Sequence, residues 1–226
     1  MMLSNNKLKI INFIYPQNCS LCKLNLVPLY KSVCDFCEKK ISDQFLTSQA
    51  NDFYFFTIKN YNVPFYYIWE NKDIASLLFN QGKFYNNNDA HIIMIRYFSK
   101  YLNYRFNNQP FFIIPAPSRH NFLFKIISES SKNLKINIVH HFIKEGNESS
   151  KNQNIQNRFK TIMNSIKLIH SETLNLNTRY LLVDDVSTSG ATISYCAQLL
   201  LKTIPVENLS IVTLFQTKRN FNSIDF

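Results

Sequence analysis

The segment YLLVDDVSTSGAT, residues 180–192, starts as an apolar run and changes abruptly to two acidic residues and a small polar loop. A strand, a polar turn, a helix over residues 192–202 and another apolar strand form the pattern of a βαβ unit. In parallel sheets, ligand groups lie beyond the carboxyl ends of the strands. We therefore expect the strand to end at Val183 and to present Asp184 and Asp185 to a ligand.

The loop that follows the aspartates has the composition of a phosphate-binding turn. Its small residues let backbone N–H groups and hydroxyls approach an anion, and the N-terminus of the next helix adds the positive end of its dipole. Beside such a turn, two carboxylates suit ribose hydroxyls, so the predicted ligand is a sugar phosphate. The predicted ligand-binding residues of the turn are Val186, Ser187, Thr188, Ser189, Gly190, Ala191 and Thr192.

The small number of glycines excludes two other phosphate-binding motifs. The chain has only Gly82, Gly146 and Gly190. The P-loop pattern G-x-x-x-x-G-K-[ST] and the dinucleotide fingerprint G-x-G-x-x-G both need glycines that are absent here. A capped strand end without a ligand accounts for one aspartate or one hydroxyl, but not for the order of the whole segment.

Four of the five cysteines form two C-x-x-C pairs separated by a short segment. They are Cys19, Cys22, Cys34 and Cys37. Two such turns joined by a hairpin would give the tetrahedral thiolate shell that zinc prefers. Two disulfides are the alternative, but a reducing compartment favours the metal. With four cysteine ligands the zinc is expected to be structural, and Cys196 is expected to be a buried core residue.

Composition indicates a folded chain with one main domain, alone or with a small satellite module. The 226 residues are 46% hydrophobic and 15% aromatic, and the formal net charge is +10, which favours anionic partners. No apolar run approaches the roughly 20 residues of a membrane-spanning helix. The apolar block after Lys7 and Lys9 is too short for a secretory signal, so we expect a cytoplasmic protein without a membrane span.

The remaining pattern alternates strands and helices, which predicts an α/β fold with a mostly parallel sheet. We place the domain boundary near Asp52, with a zinc module and linker over residues 1–52 and an α/β domain over residues 53–226. The predicted strands are FYFFTI, FYYIW, FFIIPAP and INIV. The predicted helices are a short turn after the cysteines, NKDIASLLFNQ, residues 89–106 capped by Asp89, and NFLFKIISESSKNL. The polar segment HFIKEGNESSKNQNIQNRFK is a candidate active-site loop.

The segment YLLVDDVSTSGAT resembles the phosphoribosyl-pyrophosphate signature of type I phosphoribosyltransferases. With the double C-x-x-C module before it, the order resembles the ComF family, also called ComFC. The likeness implies a type I phosphoribosyltransferase-like parallel sheet flanked by helices, with a small N-terminal zinc-knuckle module. The family's Pro-x-Pro turn is matched by Pro115 and Pro117, in a compressed form that continues with Arg119, His120 and Asn121. Its glutamine and arginine are approximated by Gln153 and Arg158, Thr161 stands where an asparagine is usual, and Lys83 lies near the place of an expected lysine.

The resemblance implies roles for these residues. Asp184 and Asp185 would anchor the ribose as the catalytic carboxylates, and Arg119 and Arg158 would bind the pyrophosphate. Magnesium would be carried mainly by pyrophosphate and ribose oxygens. No spacing singles out His120, His140 or His141 as a general base.

Three functions are compatible with this reading. The resemblance implies support of DNA uptake in natural transformation, with single-stranded DNA and a helicase-like competence protein as partners. The alternatives are a phosphoribosyltransferase of nucleotide metabolism and a sensor that binds phosphoribosyl pyrophosphate without turnover.

Overall fold

The computed structural model describes residues 17–28, 31–50, 54–106, 110–118, 120–145 and 161–217. Within these ranges no helix is long and apolar enough to cross a membrane. The predicted domain boundary near Asp52 falls among residues outside the described ranges, so the division of the chain remains a prediction.

A six-stranded sheet forms the centre of the molecule. Its strands, in spatial order, are β3 (Tyr54–Ile58), β4 (Tyr61–Glu70), β10 (Leu209–Gln216), β9 (Arg179–Ser187), β5 (Phe111–Pro115) and β6 (Asn137–Ile138). The edge strand β3 is antiparallel to β4, and all other neighbouring strands are parallel. The predicted α/β class, with a mostly parallel sheet, is confirmed.

Helices cover both faces of this sheet, as expected where parallel strands are apolar on both sides. They are α1 (Asp35–Ala50), α2 (Asp73–Lys83), α3 (Asn88–Phe106), α4 (Phe122–Leu134) and α5 (Ala191–Leu200). Residues of α1 to α4 share one core with Leu181 and Val183 of β9. Residues of α5 share a second core with Leu182. The predicted βαβ unit is therefore formed by β9, α5 and β10.

The N-terminal residues form a two-stranded hairpin, β1 (Gln17–Asn18) and β2 (Leu26–Val27), followed by α1. Helix α1 is much longer than the short turn expected after the cysteines. Tertiary contacts explain its length, because Trp69 Nε1 of β4 donates to the Ile41 carbonyl at 3.4 Å and Ser48 Oγ donates to the Ile68 carbonyl at 2.5 Å. Packing on the sheet thus supports a helix that its polar sequence alone does not predict.

Other segments differ from the sequence prediction in detail. The predicted polar loop begins with β7 (Phe142–Lys144), which pairs with β8 (Ile166–Leu168), and residues 146–160 lie outside the described ranges. Helix α3 is capped by Asn87, whose Oδ1 accepts from the Ala90 amide at 3.1 Å, and Asp89 lies in its first turn. Asn87 precedes the helix, so its side chain reaches a free amide of the first turn.

Candidate functional site

Strand β9 continues through both aspartates, so the expectation that it ends at Val183 is wrong. It pairs with β10 as far as Ser187, whereas its last pair with β5 joins Val183 to Pro115. The neighbouring β10 supplies ladder partners that the local sequence cannot reveal. After Val183, β9 no longer pairs with β5 and pairs only with β10. Asp184 and Asp185 therefore lie at the carboxyl edge of the sheet, where the β5 side of β9 has no neighbouring strand among the described residues.

The two carboxylates point to opposite faces of the sheet, because successive side chains alternate along a strand. Asp185 lies on the face that packs on α1 to α4 and is only 5% exposed. Asp184 lies on the α5 face and is partly exposed. Burial raises the pKa of the Cys196 thiol on α5, and the nearby Asp184 carboxylate adds to this effect. The two acids therefore flank the strand on opposite faces and do not lie side by side.

Lys83, the last residue of α2, is paired with Asp185. Its Nζ lies 2.5 Å from Asp185 Oδ2 and 5.1 Å from the centre of the Phe79 ring. Both charged side chains are mostly buried, so removal of either one would leave an uncompensated charge. No spacing in the sequence predicts this contact, because the two residues are far apart along the chain. Lys83 is the main site residue that the sequence analysis left without a role.

Burial raises the pKa of Asp184 to about 7, and the nearby Asp185 carboxylate adds to this effect. The Asp185 amide donates to Asp184 Oδ1 at 2.8 Å and, together with Lys83 and Lys144, opposes the shift. The carboxyl group therefore changes charge near neutral pH in the unliganded protein. As an acceptor for ribose hydroxyls, Asp184 would be most effective in its ionised form.

Asp184→Asn is expected to raise the thermal stability of the unliganded protein at pH 8. A carboxyl whose pKa is higher in the folded than in the unfolded chain destabilises the fold as pH rises. This cost is absent near pH 4, grows between pH 4 and 7, and is complete above the folded pKa of about 7. Melting temperatures of both proteins across pH 5 to 8 measure it. A gap that stays constant over this range would contradict the raised pKa.

The turn after β9 offers free donors. Among the described residues, the backbone amides of Thr188, Ser189 and Gly190 have no hydrogen-bond partner. Gly190 has φ 70° and ψ −1°, a left-handed conformation that favours glycine, and α5 begins at the next residue. The Ala191 amide is 3.5 Å from Ser189 Oγ. These free amides at the start of a helix can bind a phosphate group.

A buried hydroxyl group adds a further donor at the strand ends. Ser187 is only 2% exposed, and its Oγ has no partner among the described residues, whereas its carbonyl accepts from the Thr217 amide at 3.1 Å. Gln216 Oε1 and Thr217 Oγ1 are also buried without a partner there. Buried polar atoms are nearly always hydrogen-bonded. A polar ligand at the carboxyl edge of β9 and β10 would satisfy them.

Gly82 places Lys83 by allowing α2 to lie close to its neighbours. A Cβ atom at this position would come within 2.4 Å of Met94 Cε and 2.8 Å of Phe122 Cε2. His91 Nε2 lies 3.0 Å from the Gly82 carbonyl, and Lys125 Nζ donates to His91 Nδ1 at 2.8 Å. The Nε2–H of His91 therefore donates to Gly82, which ties the end of α2 to α3 and α4.

Gly82→Ala is expected to destabilise the protein, although alanine is the better helix former. The gain in helix propensity is about 1 kcal/mol, whereas overpacking of a filled core costs about 1–3 kcal/mol. We expect a net loss of about 1 kcal/mol, because the Phe122 ring cannot move as easily as the Met94 methyl group. Denaturant unfolding measures the change. A more stable variant would contradict this expectation, because it would show that α2, α3 and α4 accommodate the added methyl group without loss of stability.

The four N-terminal cysteines converge as predicted. Their sulfur atoms lie within 4.8 Å of one another. Cys19 Sγ and Cys37 Sγ are 3.9 Å apart, as are Cys22 Sγ and Cys34 Sγ. A disulfide would need about 2.05 Å, whereas tetrahedral zinc with bonds of about 2.3 Å separates its sulfur ligands by about 3.8 Å. The geometry fits a zinc ion and not two disulfides.

The surroundings of the sulfurs also fit a metal. Burial raises the pKa of the Cys22 thiol, but backbone hydrogen bonds from Asn25 and Leu24 outweigh it and lower that pKa to about 7. Burial and the neighbouring thiols raise the pKa of Cys37. Asn25 Nδ2 donates to Cys34 Sγ at 3.2 Å. Four crowded sulfurs cannot all ionise without a cation, and such outer donors support thiolate ligands.

Two predicted site residues cannot be placed. Arg119 and Arg158 lie outside the described residues, as does Gln153. Of the histidines, His120 is exposed, and His141 is 4% exposed with its Nδ1 at 3.1 Å from the Ile169 carbonyl. The described site therefore consists of the carboxyl edge of β9, the turn after it, and Lys83.

Comparison with known proteins gives similarity to solved structures only. No family model matches the chain, and no curated protein sequence matches it. It is similar to a hypoxanthine phosphoribosyltransferase from Staphylococcus aureus at 13% identity and a TM-score of 0.39, over 59% of this chain and 69% of that one. It is also similar to the adenine phosphoribosyltransferase from Saccharomyces cerevisiae at 11% identity and a TM-score of 0.43, over 79% and 89%. Identities of this size do not identify site residues.

Proposed function

We propose that the chain is a ComF-like protein with a phosphoribosyl-pyrophosphate-binding domain that supports DNA uptake in natural transformation. One observation carries the binding activity. Free amides of Thr188, Ser189 and Gly190 lie directly after two acids at an open carboxyl edge of the sheet. Acceptors for hydroxyls and donors for a phosphate are thus adjacent, as a ribose 5-phosphate requires.

In this proposal Asp184 and Asp185 accept hydrogen bonds from the ribose hydroxyls. The loop amides and the Ser187 hydroxyl donate to the 5′-phosphate. Lys83 pairs with Asp185 and adds positive charge beside a strongly anionic ligand. Arg119 and Arg158 remain proposed pyrophosphate ligands, and magnesium would be held by ligand oxygens. Zinc at Cys19, Cys22, Cys34 and Cys37 would be structural.

If the protein is a transferase, the bond between the ribose anomeric carbon and pyrophosphate oxygen breaks, and its electron pair leaves with the pyrophosphate. A base or amine nitrogen then forms a bond to that carbon and loses a proton. The role of this chain's residues would be to hold the ribose and stabilise the positive charge that develops on it. Asp184 and Asp185, on either side of the strand end, supply negative charge for this purpose.

The competence role rests on the order of a double C-x-x-C module before a phosphoribosyl-binding segment. The net charge of +10 is compatible with single-stranded DNA as a partner, and a helicase-like competence protein would complete the machinery. Deletion of the gene in a competent host should abolish transformation by added DNA. An unchanged transformation frequency would refute the competence role. It would not bear on the proposed binding of phosphoribosyl pyrophosphate.

Calorimetry with phosphoribosyl pyrophosphate and magnesium tests the binding activity. We expect saturable binding with one site per chain, and ribose without phosphates as the control ligand should not bind. Incubation with labelled phosphoribosyl pyrophosphate and a panel of bases then separates an enzyme, which releases pyrophosphate, from a sensor, which does not. Absence of binding would refute the proposal for this site.

A further inference from the structure

Asn87 connects the first cysteine knuckle to the turn between α2 and α3. Its Nδ2 donates to the carbonyl of Ser20, between Cys19 and Cys22, at 3.0 Å. Its Oδ1 accepts from the Ala90 amide at 3.1 Å. Because one partner is a donor and the other an acceptor, the orientation of the side-chain amide is fixed. One residue thus caps α3 and holds the knuckle.

The same turn carries Lys83. The Asn87 amide donates to the Gln81 carbonyl at 2.9 Å, and the His91 amide donates to the Asn87 carbonyl at 3.1 Å. The His91 ring holds Gly82, next to Lys83. Lys83 in turn pairs with Asp185 at 2.5 Å. Hydrogen bonds joined by short stretches of backbone therefore lead from the cysteine knuckle to the carboxylate of the proposed ribose site.

Apolar packing also joins the cysteine module to α2, since Cys37 and Leu78 belong to one hydrophobic core. A cavity of about 530 Å³ lies between them, lined by Cys37 and Phe36 on one side and by Ile74 and Leu77 of α2 on the other. An open cavity transmits little displacement, since its lining atoms lack contacts across it. The bond from Asn87 to Ser20 is a hydrogen bond with a defined direction between the Cys19–Cys22 knuckle and the turn, whereas apolar packing has no such direction.

We propose that Asn87 is a positioning residue that couples metal binding at the four cysteines to ligand binding at Asp185. A metal that fixes the Cys19–Cys22 knuckle holds Ser20, and through Asn87 it holds the turn and Lys83. Loss of the metal releases Lys83 and weakens ligand binding. By linkage, the ligand must strengthen metal binding by the same factor. The ligand arm of this inference rests on the proposed function.

Asn87→Asp is the matched variant. It retains the oxygen that caps α3 at Ala90 but loses the N–H groups that reach the Ser20 carbonyl and Gln81 Oε1. Full-length wild type and variant are titrated with phosphoribosyl pyrophosphate and magnesium, loaded with zinc or after removal of the metal by chelation. Zinc should tighten binding by about 10-fold in wild type and by less than about 2-fold in the variant. Zinc affinity is measured by chelator competition with and without saturating phosphoribosyl pyrophosphate. The ligand should raise it in wild type and in the variant by the same factors by which zinc tightens ligand binding.

Hydrogen exchange without any sugar phosphate provides the second readout. Removal of zinc should speed exchange of the amides of residues 84–91 in wild type, whereas in Asn87→Asp their exchange should not depend on zinc. Asn87→Ser, whose hydroxyl can cap α3 but cannot reach Ser20, should match the aspartate variant. If phosphoribosyl pyrophosphate fails to bind zinc-loaded wild type, the proposed function is refuted and the exchange measurement alone decides the coupling. Two results would overturn the inference. In the first, the exchange rates of residues 84–91 in wild type do not depend on zinc. In the second, zinc changes exchange or ligand affinity in Asn87→Asp as much as in wild type.

Discussion

Replacing Cys19 and Cys37 by serine in the full chain is expected to abolish zinc binding and to unfold the N-terminal module. The two sulfurs, one from each C-x-x-C pair, lie 3.9 Å apart, and both residues are fully buried. Structural zinc sites contribute about 10–16 kcal/mol of apparent binding energy, which a site with two remaining thiolates cannot retain. Metal analysis of the purified protein should fall from about one zinc per chain to none.

Cys196→Ala is the matched control, because this fifth cysteine is a buried residue of α5 and lies outside the cluster. It should keep the zinc and cost only a small core cavity. Circular dichroism and melting curves of both variants separate loss of the module from loss of the metal alone. A serine variant that retains zinc and the wild-type melting temperature would show that the cluster does not hold the metal.

The second large effect is expected from the double change Asp184→Asn and Asp185→Asn. It should weaken binding of phosphoribosyl pyrophosphate with magnesium by about 3 kcal/mol, somewhat more than 100-fold in Kd, because charge-assisted hydrogen bonds to the ribose are lost. Calorimetry measures it. The affinity of wild type should also rise with pH through about 7, where Asp184 ionises, and Asp184→Asn should flatten this dependence.

The control for this experiment is a change of equal charge away from the site. Asp43 and Glu207 are both exposed, so their replacement by Asn and Gln alters the net charge equally without changing Asp184 or Asp185. It should leave the affinity within about 2-fold, since exposed charges contribute little over such distances in salt. Equal affinities of wild type and the aspartate double variant would refute ribose binding by these acids.

The sequence predicts those parts of the molecule that depend on local pattern. The βαβ unit, the mostly parallel sheet and the convergence of the cysteines follow from apolar periodicity and from C-x-x-C spacing. Each of these features is determined by residues that are close together along the chain.

The features that the sequence does not predict depend on contacts between distant segments. Strand β9 extends past Val183 because β10 continues beside it. Helix α1 is extended by bonds to β4, and the partner of Asp185 on β9 is Lys83 at the end of helix α2. Asn87 replaces Asp89 as the cap of α3 since it lies in a turn held by Gln81. Such partners become visible only when the segments are brought together in space.

The single tryptophan gives the protein an optical reporter at an informative place. Trp69 is fully buried, lies 6.4 Å from Phe45 of α1 and stacks on Phe215 of β10 at 5.2 Å. Its indole N–H donates to the carbonyl of Ile41, which also lies on α1. Detachment of α1 would expose this ring to water and shift its fluorescence emission to longer wavelength. The emission wavelength therefore reports whether the cysteine module remains packed on the sheet.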